Sequence, residues 1–566
     1  MTDDRAPLDW RDCLAQGALP PMRDELHHGS RVVRCFRERP RSVHALLERA
    51  LARHAQADAL IDGDRRLSYA ALDEQVGRLA AGLQALGVRR GDRVVLMAGN
   101  RIEFVSAFFA LQRLRAIAVP LSTREQADGL AYVVGQCGAA AVIVDDELAE
   151  RAQALSAASA ARPAPWVIRL PALQAPAVSD TGARASDFAP SPRTIAWRSL
   201  FEAGSLDTGV DGVEDDTAVL LYTSGTTGRP KGAMLSHLGI AHSVEHFRVC
   251  MGLGEGARIA LAVPASHVTG LVAIIATALH CAGAVIVVRE FKAPAFLALA
   301  ARERMQATIL VPAMYRLCLM QPEFDSHDLS PWRVGGYGGA PMPEATIDEL
   351  ARRLPALALM NAYGATETTS PATVMPAALT RDNLDSVGLT VPCGEIRIMD
   401  DDGRELPPGE TGEIWIAGPM VVAGYWNNPE ATAREFSGGY WRSGDLGSRD
   451  ARGFVRVFDR KKDMINRGGY KIFSIEVENL LMAQPGVLEA AVLGRPCPVL
   501  GERVHAVVTV ASAGVDPAAL RAACAASLAD YKVPETIDLR SDPLPRNANG
   551  KVLKRQLRDA IVDEAG

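Results

Sequence analysis

Apolar residues follow two alternating patterns through the early part of the chain. Spacings of three and four residues are typical of helices that bury one face, and short unbroken runs of β-branched residues are typical of buried parallel strands. The pattern predicts, in order, a helix over 69–86, a strand over Arg93–Met97, a helix over 104–114, a strand over 116–120, a helix over 130–136 and a strand over 140–144. This alternation predicts an α/β fold with parallel-type sheets flanked by helices.

The later part of the chain changes its pattern. Residues 157–192 are rich in Ala, Pro and Ser, which is typical of an exposed and weakly ordered insertion. Strands over 284–288 and 307–311 resume the alternation, and glycine-rich turns from residue 396 onward predict a β-rich subdomain. A small α+β unit is predicted at the C-terminus, with helices over 475–482 and 517–528 and strands over 490–493 and 504–510.

Residues 259–288 contain no Asp, Glu, Lys or Arg and are long enough to span a membrane. However, Pro264, His267 and Gly270 interrupt the first part of this stretch, and Cys-Ala-Gly at 281–283 separates a helix-like run from a β-like run. The sequence therefore predicts a buried helix followed by a buried strand, and no transmembrane segment.

Length, charge and cysteine usage narrow the class of protein. The chain has 566 residues, which predicts two or more domains. Its net charge of −6 argues against a general nucleic-acid-binding protein, because such proteins are strongly basic. The nine cysteines form no C-x-x-C pair, which predicts reduced thiols. The N-terminus, MTDDRAPLDWRD, is polar and acidic rather than like a signal peptide, so a cytoplasmic protein is expected.

One loop has the composition of an anion-binding site. The apolar run 218–222 predicts a strand, and it leads directly into TSGTTGRPKG over 223–232. Backbone N–H groups freed by glycine, several hydroxyls and a lysine behind a rigid proline together form a cradle whose expected ligand is a polyphosphate. The loop is not a Walker A loop, because Lys231 follows Pro230 rather than Gly and is not followed by Ser or Thr.

This loop resembles the phosphate-binding loop of the AMP-forming acyl-CoA synthetases and their relatives, which include amino-acid-adenylating domains and luciferases. Further stretches occur in the family's order: YGGAPM at 337–342, NAYGATET at 361–368, YWRSGDL at 440–446 with DRKKDMINRGGYK at 459–471, and PRNANGK at 545–551. The resemblance extends from about residue 42 to residue 557, which is nearly the whole chain.

The resemblance implies two domains with the active site in the cleft between them. The expected organisation is an N-terminal extension over 1–40, a large domain over 41–459 with its β-rich subdomain at 396–459, a hinge over 460–463, and a small mobile α+β lid over 464–566.

The implied reaction uses ATP, Mg²⁺ and coenzyme A in two halves. A carboxylate attacks the α-phosphate of ATP to give acyl-AMP and pyrophosphate, and a thiol then displaces AMP. The residues implied to hold the β- and γ-phosphates are Thr223, Ser224, Gly225, Thr226, Thr227, Gly228 and Lys231. Thr366 would contact the α-phosphate, Glu367 would be the Mg²⁺ ligand, and Lys551 would contact the substrate carboxylate and the bridging oxygen.

The resemblance also implies which residues bind the nucleoside and which act in the second half-reaction. Gly338, Gly339 and Ala340 would lie beside the adenine, Tyr363 would stack on it, and Asp445 with Arg460 would bind the ribose. The lid would rotate about Lys462, and the channel for coenzyme A would include Gly468, Gly469 and Lys471. Ser474 stands where relatives often have Pro, which makes a less rigid loop. Lys554, Arg555 and Arg558 are interpreted as an ordinary solvated helix face.

The identity of the acid substrate is the property that the sequence determines least. The residues implied for the acyl pocket are His267, Val268, Gly270 and Tyr315. Ser266 occupies the position where amino-acid-adenylating domains typically place an Asp, so an α-amino acid is not expected. Small residues favour an apolar, elongated pocket, and a medium- or long-chain fatty acid is preferred over an acid of the coumarate type.

Alternative functions remain open at this point. An adenylating enzyme could load a separate carrier protein instead of coenzyme A, and a luciferase-type oxidase could use the same scaffold. A non-catalytic nucleotide-binding module would be expected to lack some of Lys231, Glu367, Asp445 and Lys551, and all four are present. The expected partners are small molecules rather than nucleic acids, and the oligomeric state is left open.

Overall fold

The computed structural model describes residues 7–14, 19–152, 164–172, 193–223, 229–511, 514–546 and 552–563. The α/β class is confirmed. A large N-terminal part contains two extended sheets, and a small C-terminal part contains a five-stranded sheet of its own.

The first sheet of the large part has seven strands and is parallel except at one edge. Across the sheet the strands are Lys231–Ser236, Thr217–Thr223, Ile117–Pro120, Arg93–Met97, Ala141–Asp145, Trp166–Leu170 and Thr194–Ala196. The helices Tyr69–Ala85, Ile102–Arg113 and Ala127–Cys137 connect or flank them. The early predicted elements are thus confirmed to within a few residues at each end.

The second sheet has fourteen strands and changes from parallel to antiparallel along its width. Across the sheet the strands are Glu395–Met399, Gly412–Ala417, Tyr440–Arg449, Phe454–Arg460, Gly388–Thr390, Thr373–Val374, Ala358–Tyr363, Val334–Tyr337, Ala307–Leu310, Arg258–Leu261, Ala284–Val287, Asp58–Asp62 and Arg65–Ser68, with Phe436–Ser437 beside Tyr440–Arg449. The antiparallel part begins at Thr373 and continues the parallel sheet. The β-rich region therefore starts earlier than residue 396 and shares its sheet with the rest of the large part.

Helices cover the faces of these sheets. In the large part they are Trp10–Cys13, His44–His54, His237–Cys250, Thr269–Ala276 with its π-type turns, Thr277–His280, Ala293–Arg302, Pro312–Leu319, Glu344–Arg353 and Pro429–Glu435. The charge-free stretch folds as predicted into a buried helical run and a buried strand. No helix among the described residues has the length and hydropathy needed to cross a membrane.

The predicted insertion over 157–192 is corrected in part. Trp166–Leu170 is a strand of the first sheet, paired in parallel with Ala141–Asp145 and Thr194–Ala196. Its central side chains are buried, which explains why a short apolar run interrupts the Ala/Pro/Ser composition. Residues 157–163 and 173–192 lie outside the described residues.

The C-terminal part matches the small α+β unit predicted from the sequence. Its strands are Ile465–Arg467, Tyr470–Ile472, Val487–Cys497, Gly501–Val510 and Thr536–Arg540, and its helices are Ser474–Met482, Pro517–Ser527 and Lys554–Asp563. Val477, Leu481, Val492 and Val508 belong to a hydrophobic core that is separate from that of the large part.

All nine cysteines fall within the described residues and are free thiols, seven of them buried. This agrees with the expectation of reduced cysteines.

The N-terminal extension is a β-hairpin fastened to the large part by ion pairs. Its strands are Met22–His27 and Arg31–Phe36. The fully buried guanidinium of Arg39 donates to Glu25 Oε2 at 2.7 Å and to Glu214 Oε1 at 2.8 Å, which joins the hairpin to the chain before the phosphate loop. The Arg39 hydrogen bond lowers the pKa of Glu25 against the opposing effect of burial.

We expect Arg39→Ala to lower the free energy of unfolding by about 3 kcal/mol, because it removes the buried guanidinium and leaves Glu25 and Glu214 with only the exposed Arg23 and Arg41 as guanidinium partners. The measurement is the midpoint of thermal or urea unfolding at pH 7.

Arg37→Ala, which removes an exposed arginine two positions away, is the matched control and should change the midpoint little. Because the folded-state pKa of Glu25 is depressed, the Arg39 contribution is present above the ordinary value of 4.5 and should shrink as the pH falls below it. Equal midpoint shifts in the two variants would contradict this account.

Candidate active site

Two neighbouring parallel strands place the predicted nucleotide residues together. Val334–Tyr337 pairs with Ala358–Tyr363, with Tyr337 opposite Asn361, so the segments that follow both strands emerge at the same edge. The carboxyl edge of parallel strands is where α/β proteins commonly bind ligands. Gly338 therefore lies next to Ala362, and a Cβ atom at Gly338 would be only 2.4 Å from the Ala362 carbonyl oxygen.

Glycine at 338 is thus required by the approach of two backbones. Gly339 has a φ of +77°, a conformation that favours glycine, and both Gly339 and Ala340 are exposed. The glycines that the sequence assigned to adenine contact have a structural requirement of their own, and their contact with adenine stays a prediction.

Tyr363, Asp445 and Arg460 form one hydrogen-bonded group. The Tyr363 hydroxyl donates to Asp445 Oδ2 at 2.6 Å, and Arg460 Nε lies 2.6 Å from Asp445 Oδ1. Asp445 and Arg460 are cross-strand partners in the antiparallel part of the sheet. Burial, followed by the charge of Asp445, raises the pKa of Tyr363, so its hydroxyl keeps the proton that it donates. The structure brings these three predicted residues together.

Glu367 lies in a short turn, Thr366–Thr368, and is nearly buried with 7% exposure. Its carbonyl accepts from the Val422 N–H at 3.0 Å. Its Oε1 accepts from the Thr223 hydroxyl at 3.2 Å and lies 3.0 Å from the Tyr425 hydroxyl. A buried carboxylate beside a hydroxyl offers the hard oxygen donors that Mg²⁺ prefers, so these residues fit the predicted ion.

The two ends of the phosphate loop are held side by side. Thr223 and Lys231 are cross-strand partners in the antiparallel pair at the edge of the first sheet. Lys231 Nζ lies 2.7 and 2.6 Å from the two carboxylate oxygens of Glu435 and 4.2 Å from the centre of the Tyr425 ring. Ser224, Gly225, Thr226, Thr227 and Gly228, like Lys551, lie outside the described residues.

Tyr425 and Glu435 are functional candidates that the sequence did not reveal. The Tyr425 hydroxyl lies 2.6 Å from Glu435 Oε2, so it stands between the carboxylates of Glu367 and Glu435. Asn428 caps the helix Pro429–Glu435 and Pro429 begins it, which are signals readable from the sequence. No local pattern shows that the last residue of this helix reaches Lys231.

The residues predicted for the acid lie around the start of the helical run Thr269–His280. His267 is exposed to solvent, yet surrounding protein lowers its pKa by desolvation, a combination expected for a side chain in a cleft. Val268 is buried. Gly270 is also buried, and a Cβ atom there would lie 2.2 Å from the Pro264 carbonyl oxygen, so the backbone already requires glycine, and the contact of Gly270 with the acid stays a prediction.

Tyr315 is the exception among these residues. It is fully buried, its hydroxyl donates to the Gly336 carbonyl at 2.9 Å, and its ring stacks on Trp332 at a centroid distance of 5.8 Å. The sequence interpretation of Tyr315 as a pocket wall is corrected accordingly, because its contacts are those of a core residue.

Asn100, another residue that the sequence did not reveal, holds the His267 segment in place. Its side-chain amide donates to the carbonyls of Leu261, Val263 and Val288 at 3.0 to 3.2 Å, and its Oδ1 accepts from the Ala265 N–H at 2.8 Å. Asn100 follows the strand Arg93–Met97 of the first sheet, whereas its partners lie in or just after strands of the second. Asn100 therefore connects the two sheets, and its contact with Ala265 lies two residues before His267.

The predicted coenzyme A loop is a tight hairpin turn. Gly468 and Gly469 both have positive φ, +59° and +90°, and they connect Arg467 to its cross-strand partner Tyr470. A two-residue turn with two positive φ values matches the right-handed twist of a hairpin. Lys471 is exposed on the second strand of this hairpin. Lys462 lies in the preceding turn, and burial lowers its pKa.

The solvated face predicted over residues 554–558 is corrected. Lys554 Nζ lies 2.6 Å from Glu478 Oε1 and donates to the Ser474 hydroxyl at 2.7 Å, and its side chain is 16% exposed. Arg558 is paired with Asp463 at 2.8 Å. Arg555 is exposed as expected. The apolar spacing of this helix could not show which cations meet acidic partners on neighbouring elements.

Another set of potential metal ligands does not fit a cation. Glu25, His27 and Cys35 have ligand atoms within 4.8 Å of one another. Both oxygens of Glu25 already accept from Arg39, at 3.0 and 2.7 Å, and that buried positive charge would repel an ion.

Comparison with known proteins agrees with this geometry. The family model of the AMP-binding enzyme matches residues 47–426, and the model of the AMP-binding enzyme C-terminal domain matches residues 476–551. The chain is 35% identical over 503 residues to a feruloyl-CoA synthase from Amycolatopsis sp, which covers 89% of this chain and 95% of that protein. It is 31% identical over 541 residues to a long-chain-fatty-acid–CoA ligase from Yersinia pestis, with 93% and 95% covered.

The fold is also similar to a solved structure. ATP-bound MatB from Rhodopseudomonas palustris superposes with a TM-score of 0.80 at 30% identity, over 93% of this chain and all of that one. The resemblance predicted from the motifs is confirmed, and this chain belongs to the AMP-binding enzyme family.

Proposed function

We propose that this chain is an AMP-forming acid–CoA ligase, which converts a carboxylic acid into an acyl adenylate and passes the acyl group to coenzyme A. One observation carries the proposal: Thr223, at one end of the phosphate loop, donates to Glu367, which follows Tyr363 by four residues, and the Tyr363 hydroxyl donates to Asp445. The family match and the CoA ligases among the relatives support the same reaction.

In the first half-reaction a carboxylate oxygen of the acid attacks the α-phosphorus, and the bridging oxygen leaves with pyrophosphate. Both reactants are anions, so the protein must offset their charge and hold them in line. We assign the β- and γ-phosphates to Thr223, Lys231 and residues 224–228. Thr366 is assigned to the α-phosphate, and Lys551 to the carboxylate and the bridging oxygen.

Glu367 would hold Mg²⁺, which supplies positive charge to the phosphates when bound. The buried carboxylate is kept in place by its own backbone contact with Val422 and by two hydroxyl groups, so it needs little reorganisation to accept an ion.

The nucleoside is assigned to the edge formed by the two parallel strands. Gly338, Gly339 and Ala340 would lie along the adenine, with Tyr363 on its face. An ionised carboxylate has about four acceptor positions. Asp445 uses two of them for Tyr363 and Arg460, which leaves capacity for the ribose hydroxyls.

In the second half-reaction the sulfur of coenzyme A attacks the acyl carbonyl carbon, AMP leaves, and the thiol proton is lost. We propose that the lid rotates about Lys462 to exchange Lys551 for the hairpin that carries Gly468, Gly469 and Lys471. A Cβ atom at Gly469 would meet nothing within 4 Å, so the outer side of this turn leaves room for the arm of coenzyme A.

For the acid we propose an arylpropenoic acid first and a fatty acid second. The relative named for a feruloyl group is 35% identical, and the relative named for long-chain fatty acids is 31% identical. This order differs from the one expected from small residues, because Gly270 is required by the Pro264 carbonyl and Tyr315 packs in the core. His267 and Val268 stay in the proposed pocket, and Ser266 argues against an α-amino acid.

The function is tested by pyrophosphate release from MgATP across a panel of arylpropenoic, benzoic, fatty and amino acids, with and without coenzyme A. We expect sustained turnover only with one acid class and coenzyme A together, because acyl-AMP stays on the enzyme when no thiol is present. Acid-dependent release that ignores coenzyme A would point to a carrier protein as acceptor. No release with any acid would contradict the proposed ligase.

Lys551→Ala should reduce acyl-AMP formation about a thousandfold while sparing the attack of coenzyme A on supplied acyl-AMP, because the lysine offsets charge only in the first transition state. Single-turnover assays of each half-reaction make the measurement. Arg555→Ala, which removes an exposed cation nearby, is the control and should leave both halves unchanged. Equal losses in both halves would contradict the assigned role.

His267→Ala should change the ratio of kcat/KM between an arylpropenoic and a fatty acid about tenfold, as expected for a pocket residue, and leave the KM for ATP unchanged. Steady-state kinetics with both acids provide the measurement. His54→Ala is the control, because His54 is a partly exposed imidazole that contacts Glu255 on the surface. An effect of His267→Ala on ATP alone would remove His267 from the pocket.

A further inference from the structure

The ammonium group of Lys231 is already neutralised inside the protein. Both oxygens of Glu435 lie within 2.7 Å of Lys231 Nζ, and the lysine is 7% exposed. The ring of Tyr425 covers it at 4.2 Å from the ring centre. A phosphate group that binds this lysine must therefore compete with an internal carboxylate.

Glu435 would not be left unpaired by such competition. Arg434 Nη2 donates to its Oε1 at 2.8 Å, and the Tyr425 hydroxyl lies 2.6 Å from its Oε2. Losing Lys231 would leave these two partners in place. Arg434 is about half exposed, so solvent also remains close to the carboxylate. The cost of releasing Lys231 is therefore smaller than for a buried pair with no other donors.

Tyr425 also links Glu435 to Glu367, the proposed ligand of the ion. The Tyr425 hydroxyl has one proton and faces two carboxylates, Glu435 at 2.6 Å and Glu367 at 3.0 Å. With a cation on Glu367, that carboxylate would no longer need this donor, and the hydroxyl would be free to donate to Glu435. If Glu435 accepted the full hydrogen bond of the Tyr425 hydroxyl, it would depend less on Lys231.

We propose that Glu435 is a positioning residue that serves as a resident counter-anion: it holds Lys231 until a polyphosphate displaces it, and it reclaims the lysine as pyrophosphate leaves. The inference rests on the proposed function, since it assigns Lys231 to the phosphates. It goes further by naming a residue that weakens pyrophosphate binding and so favours product release.

The test is calorimetric titration of the full-length protein with magnesium pyrophosphate and, separately, with AMP. We expect Glu435→Gln to tighten pyrophosphate binding about tenfold, because the neutral amide no longer competes for the ammonium group. AMP lacks the β- and γ-phosphates, so its affinity should not change. Rapid-quench measurement should show correspondingly slower pyrophosphate release.

Glu430→Gln is the matched control, because it removes an exposed negative charge from the same helix without touching Lys231. It should leave pyrophosphate affinity within about twofold, as expected for an exposed charge. The Glu435 effect should also vanish in a Lys231→Met background, since it acts through that ammonium group.

Unchanged or weaker pyrophosphate binding in Glu435→Gln, with AMP binding intact, would overturn the inference and leave the proposed function standing. Wild-type protein that binds neither AMP nor pyrophosphate would overturn both. Should the glutamine variant not fold, Glu435→Asp provides the second test: it draws the carboxylate back by one methylene and should tighten pyrophosphate binding by a smaller factor.

Discussion

The arrangement of the proposed phosphate and ion site depends on one shared proton. The hydroxyl of Tyr425 stands between the carboxylates of Glu367 and Glu435, and burial raises the pKa of Tyr425 so that it keeps this proton. Two carboxylates so close together repel each other strongly where little water is present. Lys231 relieves the repulsion on one side and Thr223 donates on the other. The proposed phosphate and ion positions are thereby coupled through protein groups alone.

Much of the framework around this group was predictable from local patterns. The early helices and strands follow from apolar spacing. The motifs placed Asp445 and Arg460 in one group, and the structure pairs them, while their ribose role stays a prediction. Tyr425, Glu435 and Asn100 were not predictable in this way. Lys231 and Glu435 are 204 positions apart, and a single glutamate at a helix end is usually a solvated residue. Only the packing of the two sheets brings such pairs together.

The glycines show a second limit on how well binding residues can be predicted from a sequence. A glycine that lets a ligand approach and a glycine that lets another backbone approach look the same in a motif. At Gly338 the neighbouring backbone is the carbonyl of Ala362, and at Gly270 it is that of Pro264. At Gly468 and Gly469 the requirement is a hairpin turn with positive φ. The motifs assigned these positions to ligands, which stays a prediction, and the structure shows that backbone geometry alone already demands glycine there.

The junction between the large part and the lid shows how a single departure from the family pattern can be accommodated. The backbone N–H of Ser474 donates to the buried carboxylate of Asp459, which a proline could not do, and its hydroxyl accepts from Lys554. Asp459 precedes the proposed hinge at Lys462, whereas Ser474 and Lys554 follow it.

A rotation about Lys462 would therefore separate Asp459 from Ser474 and leave the pair of Lys554 with Glu478 intact, because both of those residues belong to the lid. Burial raises the pKa of Asp459. This carboxylate also accepts from the N–H of Arg460, its own neighbour on the large side, at 2.7 Å. In such a rotation the lid would carry its buried charge pair with it, and Asp459 would keep the Arg460 donor and lose that of Ser474.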